Sequence, residues 1–215
     1  MLSQYWPLAG LAVRTPQLEL RFPTEADLVA LAELAAGGVH DPVRMPFLTP
    51  WTVGGTPAEI ARRVLQYQWR CWGTWTPEAW ALNLVTVVDG VVVGSQGLSA
   101  RDFGALREVE TGSWLGLSHQ GRGVGTRMRA AIVHLAFAGL GAEYVTSSAF
   151  TDNPASQSVS RKVGYAEDGI ARTLRGSEPA VLHRYRLSRS GWETERRDDI
   201  EIVGLPECRP LFGLT

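Results

Sequence analysis

Alternation and spacing of apolar residues predict a strand followed by two helices in the first third of the chain. Residues 18–22 alternate apolar and polar side chains as a strand does. Residues 24–27 resemble a capping box and open a helix that the glycine pair 37–38 should end. Residues 56–59 supply a second N-cap signal with proline at the first helical position, so we expect a helix over about 57–72.

The middle of the chain changes to β-branched runs from residue 79 onward. Segments 82–88 and 91–98 flank a turn at residues 89–90, Asp-Gly, which is typical of a β-hairpin. Segment 107–117 should add a third antiparallel strand. After a glycine-rich segment, apolar residues four, four and three apart fall on one face of a helix: Val124, Met128, Ile132 and Leu135.

The remaining pattern predicts a strand at 143–149, a short helix between Asn153 and Gly164, and two final strands at 165–170 and 181–187. The order is therefore strand, two helices, three antiparallel strands, helix, strand, helix and two strands. This order favours an α/β (α+β) fold over an alternating doubly wound sheet. We expect a single mixed, mostly antiparallel twisted sheet with helices on both faces.

Composition narrows the class of partner. A length of 215 residues suits one domain with extensions. The chain carries 21 Lys and Arg against 22 Asp and Glu, so its bulk charge recruits neither nucleic acid nor an anionic membrane. The opening residues have no basic leader region, and no uncharged apolar run approaches the roughly 20 residues of a membrane span. We expect a cytoplasmic protein that binds a small molecule or a peptide, without nucleic acid or membrane partners.

Cysteine and histidine usage favours neither a metal site nor hydrolase chemistry. Cys71 and Cys208 are far apart and have no C-x-x-C companion, so disulfide and zinc frameworks are unsupported and both thiols should be buried. The four histidines show no metal-ligand spacing and no nucleophile partner. We therefore expect no metal and no Ser/His triad.

Three alternate glycines, Gly121, Gly123 and Gly125, precede the predicted helix that follows the three antiparallel strands. Free N–H groups and the macrodipole make such a helix start an anion site, and glycines let phosphate oxygens approach the backbone. A plain glycine-rich turn is the alternative. A dinucleotide-binding loop requires a parallel βαβ unit, whereas antiparallel strands precede this loop. A Walker A loop requires Gly-Lys-Ser/Thr, which the sequence lacks.

Two linked motifs resemble one enzyme superfamily. Residues 120–126, Gln-Gly-Arg-Gly-Val-Gly-Thr, match the GNAT signature Q/R-x-x-G-x-G/A, and residues 114–117, Trp-Leu-Gly-Leu, stand where the family's fourth strand leads into it. Residues 152–156 and 162–165 resemble the D-N-x-x-S and K-x-G-F/Y pattern of the branch containing the ribosomal-protein N-terminal (alanine) acetyltransferases. The similarity covers about residues 16–190, and the layout also resembles actinobacterial members of this branch.

The resemblance implies a single GNAT domain over residues 1–215, with its core at about 16–190 and a C-terminal extension at 191–215. It implies acetyl-CoA or another acyl-CoA as cosubstrate, no metal, and direct attack by an amine in a ternary complex. A main-chain N–H near Leu115 would polarise the thioester carbonyl. The cofactor-binding residues that it implies are Trp114, Leu115, Gly116, Leu117, Gln120, Gly121, Arg122, Gly123, Val124, Gly125, Thr126, Asn153 and Ser156.

Acyl transfer needs a neutral amine, yet a lysine amine has a pKa of about 10.4 and an α-amine about 8 in water. A general base is therefore useful. Glu108 and Glu110 lie two apart and share one face of their strand. Glu110 stands two residues before Gly112 and is the predicted base. Its alternative roles are a solvent-facing residue or an ion-pair partner of Arg107.

The leaving-group side departs from the family pattern. Many GNAT enzymes carry a tyrosine seven residues after the asparagine, where this chain has Ser160, which puts a phenolic acid in doubt. Ser156 could instead donate to the thiolate directly or through water, or only support the helix start. Asn153 could bond to the pantetheine while it caps the helix. The candidate catalytic residues are therefore Glu110, Ser156 and Ser160.

The acceptor should be a primary amine on a small molecule, a protein N-terminus or a lysine. Loop 41–51 is a candidate lid because prolines stiffen it and its aromatic residues could line a pocket. The acyl group is acetyl or another short group such as succinyl, whose distal carboxylate could reach Arg101, Arg107 or Arg172. The alternative function is a CoA-binding sensor or interaction module without turnover. A homodimer is possible, and the apolar tail 192–215 should dock on its own or a neighbouring subunit.

Overall fold

The computed structural model describes residues 2–214, which fold around one nine-stranded sheet. The strands are β1 (Ala12–Arg14), β2 (Glu19–Arg21), β3 (Ala79–Val88), β4 (Val91–Arg101), β5 (Glu108–Leu115), β6 (Tyr144–Phe150), β7 (Ala166–Arg175), β8 (Glu178–Ser188) and β9 (Glu201–Val203). The helices are α1 (Glu25–Ala36), α2 (Pro57–Gly73), α3 (Phe103–Leu106), α4 (Val124–His134), α5 (Pro154–Lys162) and α6 (Arg189–Thr194). A π-helical turn, Leu135–Gly139, follows α4 directly.

The strand order is β7-β8-β6-β5-β4-β3-β2-β1-β9. Neighbouring strands run antiparallel except β5 and β6, which are parallel. The predicted single mixed, mostly antiparallel sheet is confirmed. The hairpin between β3 and β4 turns at Asp89 and Gly90, both with positive φ, as a two-residue type I′ turn requires.

Helices cover both faces of the sheet, as predicted. Alternate residues of β3 belong to different core clusters: Leu82 and Leu84 pack in the cluster that contains α4, whereas Val85 and Val87 pack in the cluster that contains α1 and α2. Side chains of a strand alternate between its faces. The α4 face and the α1–α2 face therefore lie on opposite sides of the sheet.

The C-terminal tail docks on its own chain. β9 pairs antiparallel with β1 and extends that edge of the sheet. The fully buried ring of Phe212 packs edge-on against Trp80 and Trp75, and the Trp75 indole N–H donates a 2.8 Å hydrogen bond to the Leu211 carbonyl. The predicted docking of the tail is thus observed within one subunit.

The start of α1 is held by a buried carboxylate, Asp27, which is the N3 residue of a capping box with Thr24. Arg21 donates to it at 2.7 and 3.1 Å, and the Thr24 N–H donates at 3.0 Å. Burial raises the pKa of Asp27, but the bonds from Arg21 and Thr24 outweigh burial and lower that pKa below its ordinary value. The stabilisation is therefore present at neutral pH and is lost as pH falls through the lowered pKa.

Asp27→Ala should lower the free energy of unfolding by about 2 kcal/mol at neutral pH, because it removes both the cap and the partner of Arg21. Denaturant unfolding followed by circular dichroism measures this loss. Glu59→Ala is the matched control, since Glu59 fills the same capping-box position of α2 but is exposed. We expect a smaller loss for the control; equal losses would contradict a special role for the buried Arg21–Asp27 pair.

Candidate active site

A cleft opens in the sheet where β5 and β6 stop pairing. Their parallel ladder runs only from Glu108 opposite Tyr144 to Glu110 opposite Thr146, although both strands continue. The Thr111 hydroxyl donates to the Thr146 carbonyl at 3.0 Å and closes the apex of this opening. We call the space between residues 111–115 of β5 and 147–150 of β6 the β5–β6 cleft. Its exposed main-chain edges can pair with an extended ligand.

The wide end of the cleft meets the start of α4. Gly123 is the N-cap of this helix with φ +75°, a left-handed conformation that favours glycine. The first N–H groups of the helix have no intrahelical partner, and the macrodipole adds positive charge there. Gly125 lies where an added Cβ would contact Val159 of α5 at 3.5 Å, so the two helices approach closely beside the cleft. This end is suited to a pyrophosphate.

Hydrogen bonds tie the loop before α4 to both the sheet and the end of α1. The Gln120 side-chain amide donates to the Leu115 carbonyl at 2.9 Å and to the Val39 carbonyl at 2.7 Å. The Leu117 N–H donates to the Gly38 carbonyl at 3.0 Å. The predicted loop residues are thus held in one place by backbone contacts. Arg122 is exposed, and its carbonyl accepts a bond from Arg127 at 3.1 Å.

Gly116 lies under α1. A Cβ at this position would come within 2.3 Å of a Leu34 methyl group, so a larger residue would require the Leu34 side chain to move. The segment from β5 to α4 is therefore packed directly against α1.

The residues predicted for the leaving-group side lie on α5. Asn153 caps this helix, since its side-chain oxygen accepts from the Ser156 N–H at 3.2 Å. The Gln157 amide donates to the carbonyls of Phe150 and Thr151, which fixes α5 to the end of β6. Ser156 is half-buried, whereas Ser160 is fully buried and its hydroxyl has no partner among residues 2–214.

A cavity of about 690 Å³ lies at the apex of the cleft. Paired residues of adjacent strands share a face, and one such row crosses the cavity through Ala81, Ser99, Glu110 and Thr146. Ala81 lies four residues before Val85 on β3, so the two side chains are on the same face of the sheet. This row therefore lies on the α1–α2 face. Side chains from α2 complete the wall, among them Arg70 and Cys71.

The two acidic residues of β5 differ in their surroundings. Arg186 donates to Glu108 at 2.9 Å and forms an ion pair with it. Within residues 2–214, no side-chain hydrogen bond or salt bridge is formed by the Glu110 carboxylate, so its alternative role as an ion-pair partner of Arg107 is not observed. Although part of Glu110 reaches solvent, its carboxylate lines the cavity; burial and the nearby Glu108 charge raise its pKa. A carboxylate in this state can accept a proton from a substrate amine.

The loop predicted as a lid packs over β5. Trp114 contacts Trp51 with ring centroids 5.5 Å apart, and Trp51 contacts Phe47 at 5.1 Å. Arg63 of α2 donates to the carbonyls of Trp51 and Val53. The Trp114 ring therefore belongs to the α1–α2 face, and only its main chain can border the cleft.

Sequence reasoning missed a polar group inside the cleft. Arg129 of α4 is only 3% exposed and donates to Ser147 of β6 at 2.9 Å and to Ser113 of β5 at 3.0 Å. The apolar positions 128 and 132 flank it on the buried side of α4. The available signal was an arginine on the apolar side of a predicted helix, because arginine is rarely buried without a partner.

Comparisons with known proteins identify the family and the fold. A family model described as an acetyltransferase (GNAT) domain matches residues 17–166. A GCN5-related N-acetyltransferase from Brucella melitensis has TM-score 0.66 and 18% identity, covering 85% of this chain and 80% of its own. RimL, a ribosomal L7/L12 alpha-N-protein acetyltransferase solved with coenzyme A, has TM-score 0.63 and 18% identity, with coverage of 81% and 95%.

A third solved structure is the microcin C7 self-immunity acetyltransferase MccE in complex with acetyl-CoA and AMP, with TM-score 0.58 and 14% identity, covering 80% of this chain and 93% of its own. At these identities the structural likeness shows the fold, whereas the family match rests on the sequence. None of the helices formed by residues 2–214 is long and apolar enough to cross a membrane. The chain belongs to the GNAT acetyltransferase family and is an acyl-CoA-dependent N-acyltransferase.

Proposed function

We propose that this chain transfers an acetyl group, or another short acyl group such as succinyl, from acyl-CoA to a primary amine by direct attack in a ternary complex. One observation carries the proposal: the β5–β6 cleft has an anion site at its wide end and the Glu110 cavity at its apex. A pantetheine arm laid along the cleft would bring the thioester from the first site to the second.

The donor side uses main-chain groups more than side chains. Pyrophosphate oxygens would accept from the first N–H groups of α4, with Arg122 as an added mobile cation. The edge of β5 would pair with the pantetheine, and the N–H near Leu115 would polarise the thioester carbonyl. Two solved relatives of the same fold contain CoA or acetyl-CoA. The proposed donor contacts are Trp114, Leu115, Gly116, Leu117, Gln120, Gly121, Arg122, Gly123, Val124, Gly125, Thr126, Asn153 and Ser156.

The acceptor side is the 690 Å³ cavity. A primary amine of a small molecule, a protein N-terminus or a lysine would enter as the ammonium form, which the Glu110 carboxylate attracts. Glu110 takes one proton from the ammonium group, and the nitrogen of the resulting neutral amine attacks the carbonyl carbon. The second proton leaves nitrogen as the amide forms and passes to water. Ser156 and Ser160 are the proposed leaving-group residues on α5.

The whole chain is proposed as one catalytic domain with its core at about 16–190, working in the cytoplasm as a possible homodimer. Its branch is proposed as that of the actinobacterial-type ribosomal-protein acetyltransferases. The second candidate function is a CoA-binding module without turnover, which Ser160 favours because it stands where the family usually has a tyrosine.

Native mass spectrometry with a panel of acyl-CoAs, followed by measurement of thiol release with a panel of amines, tests the proposal. We expect a one-to-one complex with at least one acyl-CoA and steady CoA release with at least one primary amine. Acyl-CoA binding without release with any amine would favour the binding module. A protein that binds no acyl-CoA would contradict both functions.

A further inference from the structure

Arg129 is a buried cation without a carboxylate. None of the salt bridges among residues 2–214 includes it, and its Nε–H has no hydrogen-bond partner there. Its guanidinium donates to the neutral hydroxyls of Ser113 and Ser147, and it also interacts with the neutral Tyr165 hydroxyl. A buried charge without a counter-charge is costly, and a methionine could fill the same space without that cost. This arrangement indicates that Arg129 meets a negative charge that arrives with a ligand.

The position of Arg129 is the apex of the β5–β6 cleft, on the face opposite Glu110. Ser113 shares its side of β5 with Val109, which packs in the α4 cluster, whereas Glu110 lies on the α1–α2 face. Arg129 bridges the two strands just past the last pair of their ladder, at Ser113 and Ser147. The guanidinium and the carboxylate therefore flank the same point of the sheet from its two sides.

Within residues 2–214, no acidic side chain forms a salt bridge with Arg129. The titratable group that faces it is Tyr165, whose hydroxyl lies 3.1 Å from the Thr111 hydroxyl. Burial raises the pKa of Tyr165 and the nearby Arg129 charge opposes this, so the phenol is neutral at physiological pH. The other polar groups that the hydrogen bonds place beside Arg129 and Tyr165 are the hydroxyls of Ser113, Ser147 and Thr111.

We propose that Arg129 stabilises the negative charge on the CoA sulfur as the thiolate leaves, an inference that rests on the proposed function. The amine nitrogen forms a bond to the carbonyl carbon, the carbon–sulfur bond breaks, and its electron pair stays on sulfur. Nitrogen loses one proton to Glu110 before it attacks and a second proton to water as the amide forms. Arg129 keeps its protons, since a guanidinium does not deprotonate in proteins, and water protonates the thiolate after release.

Attack geometry assigns the sulfur, rather than the amine, to Arg129. The amine comes from the cavity on the Glu110 face, so the other substituents of the tetrahedral carbon are pushed toward the α4 face. That is the face on which Arg129 lies. A fixed cation there would replace the proton that a tyrosine supplies in many family members, because this chain has Ser160 at that position.

The ionisation of bound CoA tests the proposal without relying on turnover. Affinities of CoA and desulfo-CoA are measured by calorimetry from about pH 6 to about pH 9, where the thiol of free CoA, a simple alkyl thiol, stays largely protonated. Titration of Glu110 affects both ligands and cancels in their ratio. A nearby cation should lower the pKa of the bound CoA thiol by about one unit or more. The affinity of the wild type for CoA, relative to desulfo-CoA, should then rise by up to about tenfold per pH unit.

The decisive variant is Arg129→Met, with Arg161→Gln as the control for loss of one positive charge at an exposed site on α5. Arg129→Met should remove the pH-dependent preference for CoA, lower kcat by about 10²-fold as loss of a charge-stabilising donor does, and leave the ligand-free melting temperature unchanged or higher. Arg161→Gln should keep the preference and the rate.

Three results decide between the explanations. A pH-dependent preference in Arg129→Met equal to the wild type would overturn the proposal and leave Arg129 a structural bridge between the strands. If that variant does not fold, Arg129→Lys should keep the preference, because it retains the charge, and its absence there would equally overturn the proposal. A wild type that binds neither CoA nor desulfo-CoA would overturn the proposed function itself.

Discussion

Replacing Glu110 with glutamine should lower turnover by about 10²–10⁴, the range typical of general-base loss, and leave acyl-CoA affinity almost unchanged. Glutamine keeps the size of the side chain and removes the proton acceptor that lines the cavity. The raised pKa of Glu110 makes it a better base for an ammonium substrate than an ordinary carboxylate. Steady-state kinetics with the best amine, together with calorimetric binding of acyl-CoA, gives both quantities.

The pH dependence distinguishes this role from a structural one. At higher pH the solution supplies more neutral amine, so the penalty of Glu110→Gln should shrink. Folding raises the pKa of Glu110, so ionisation of this carboxylate destabilises the native state above that pKa. The destabilisation disappears at acid pH, where Glu110 is protonated in both the folded and the unfolded protein. The variant should therefore melt at or above the wild-type temperature at neutral pH.

Glu108→Gln is the matched control, because Glu108 lies on the same face but is ion-paired with Arg186. We expect a smaller effect on turnover from the control. If Glu110→Gln lowers turnover by less than about tenfold, or if Glu108→Gln lowers it more, the assignment of the base is wrong. A collapse of acyl-CoA affinity in Glu110→Gln would mark the residue as structural.

Gly123→Asp should abolish binding of CoA. The new carboxylate would stand at the N-cap of α4, against the pyrophosphate, and aspartate tolerates the left-handed φ of +75° better than most residues. The space around Gly123 is limited only by the flexible end of Arg127, so the ligand-free fold should persist. In the wild type, CoA at about 100 times its dissociation constant should stabilise the protein by about 2.7 kcal/mol, and this gain should vanish in the variant.

Gly176→Asp offers a matched control, because Gly176 also has a positive φ, sits in the turn between β7 and β8, and has open space at its Cβ position. Thermal unfolding with and without CoA should show the full ligand-induced shift for Gly176→Asp. Adenine dinucleotides should shift neither variant nor the wild type. An unchanged CoA-induced shift in Gly123→Asp would remove the loop assignment.

Local sequence signals predicted most of the framework. The capping residues Thr24 and Thr56 start α1 and α2 as expected, and the helix after the glycines begins at Val124. The predicted final strands were too short: β7 and β8 continue to a turn at Gly176. Such a long hairpin is stabilised by cross-strand pairing, which a single strand's pattern does not reveal.

The positions of the site residues relative to one another were predictable only where the residues lie on the same helix or strand. The periodicity of two along β5 was enough to place Glu108 and Glu110 on one face. It could not show that Arg186, 78 residues away in sequence, forms an ion pair with Glu108 and leaves Glu110 without one. Arg129 escaped for the same reason, because its burial depends on two serines from strands that meet only in the folded sheet.

The contacts of Gln120 and Leu117 with the end of α1 have a consequence for substrate binding. They join the loop before α4, which we propose binds CoA, to the segment that leads into loop 41–51, whose Trp51 packs on Trp114. Occupation of one subsite should therefore alter the affinity of the other, and thermodynamic linkage requires the two effects to be equal in size. Bound CoA should change the affinity for the amine by a certain factor. Bound amine should change the affinity for CoA by the same factor, and that factor gives the coupling free energy.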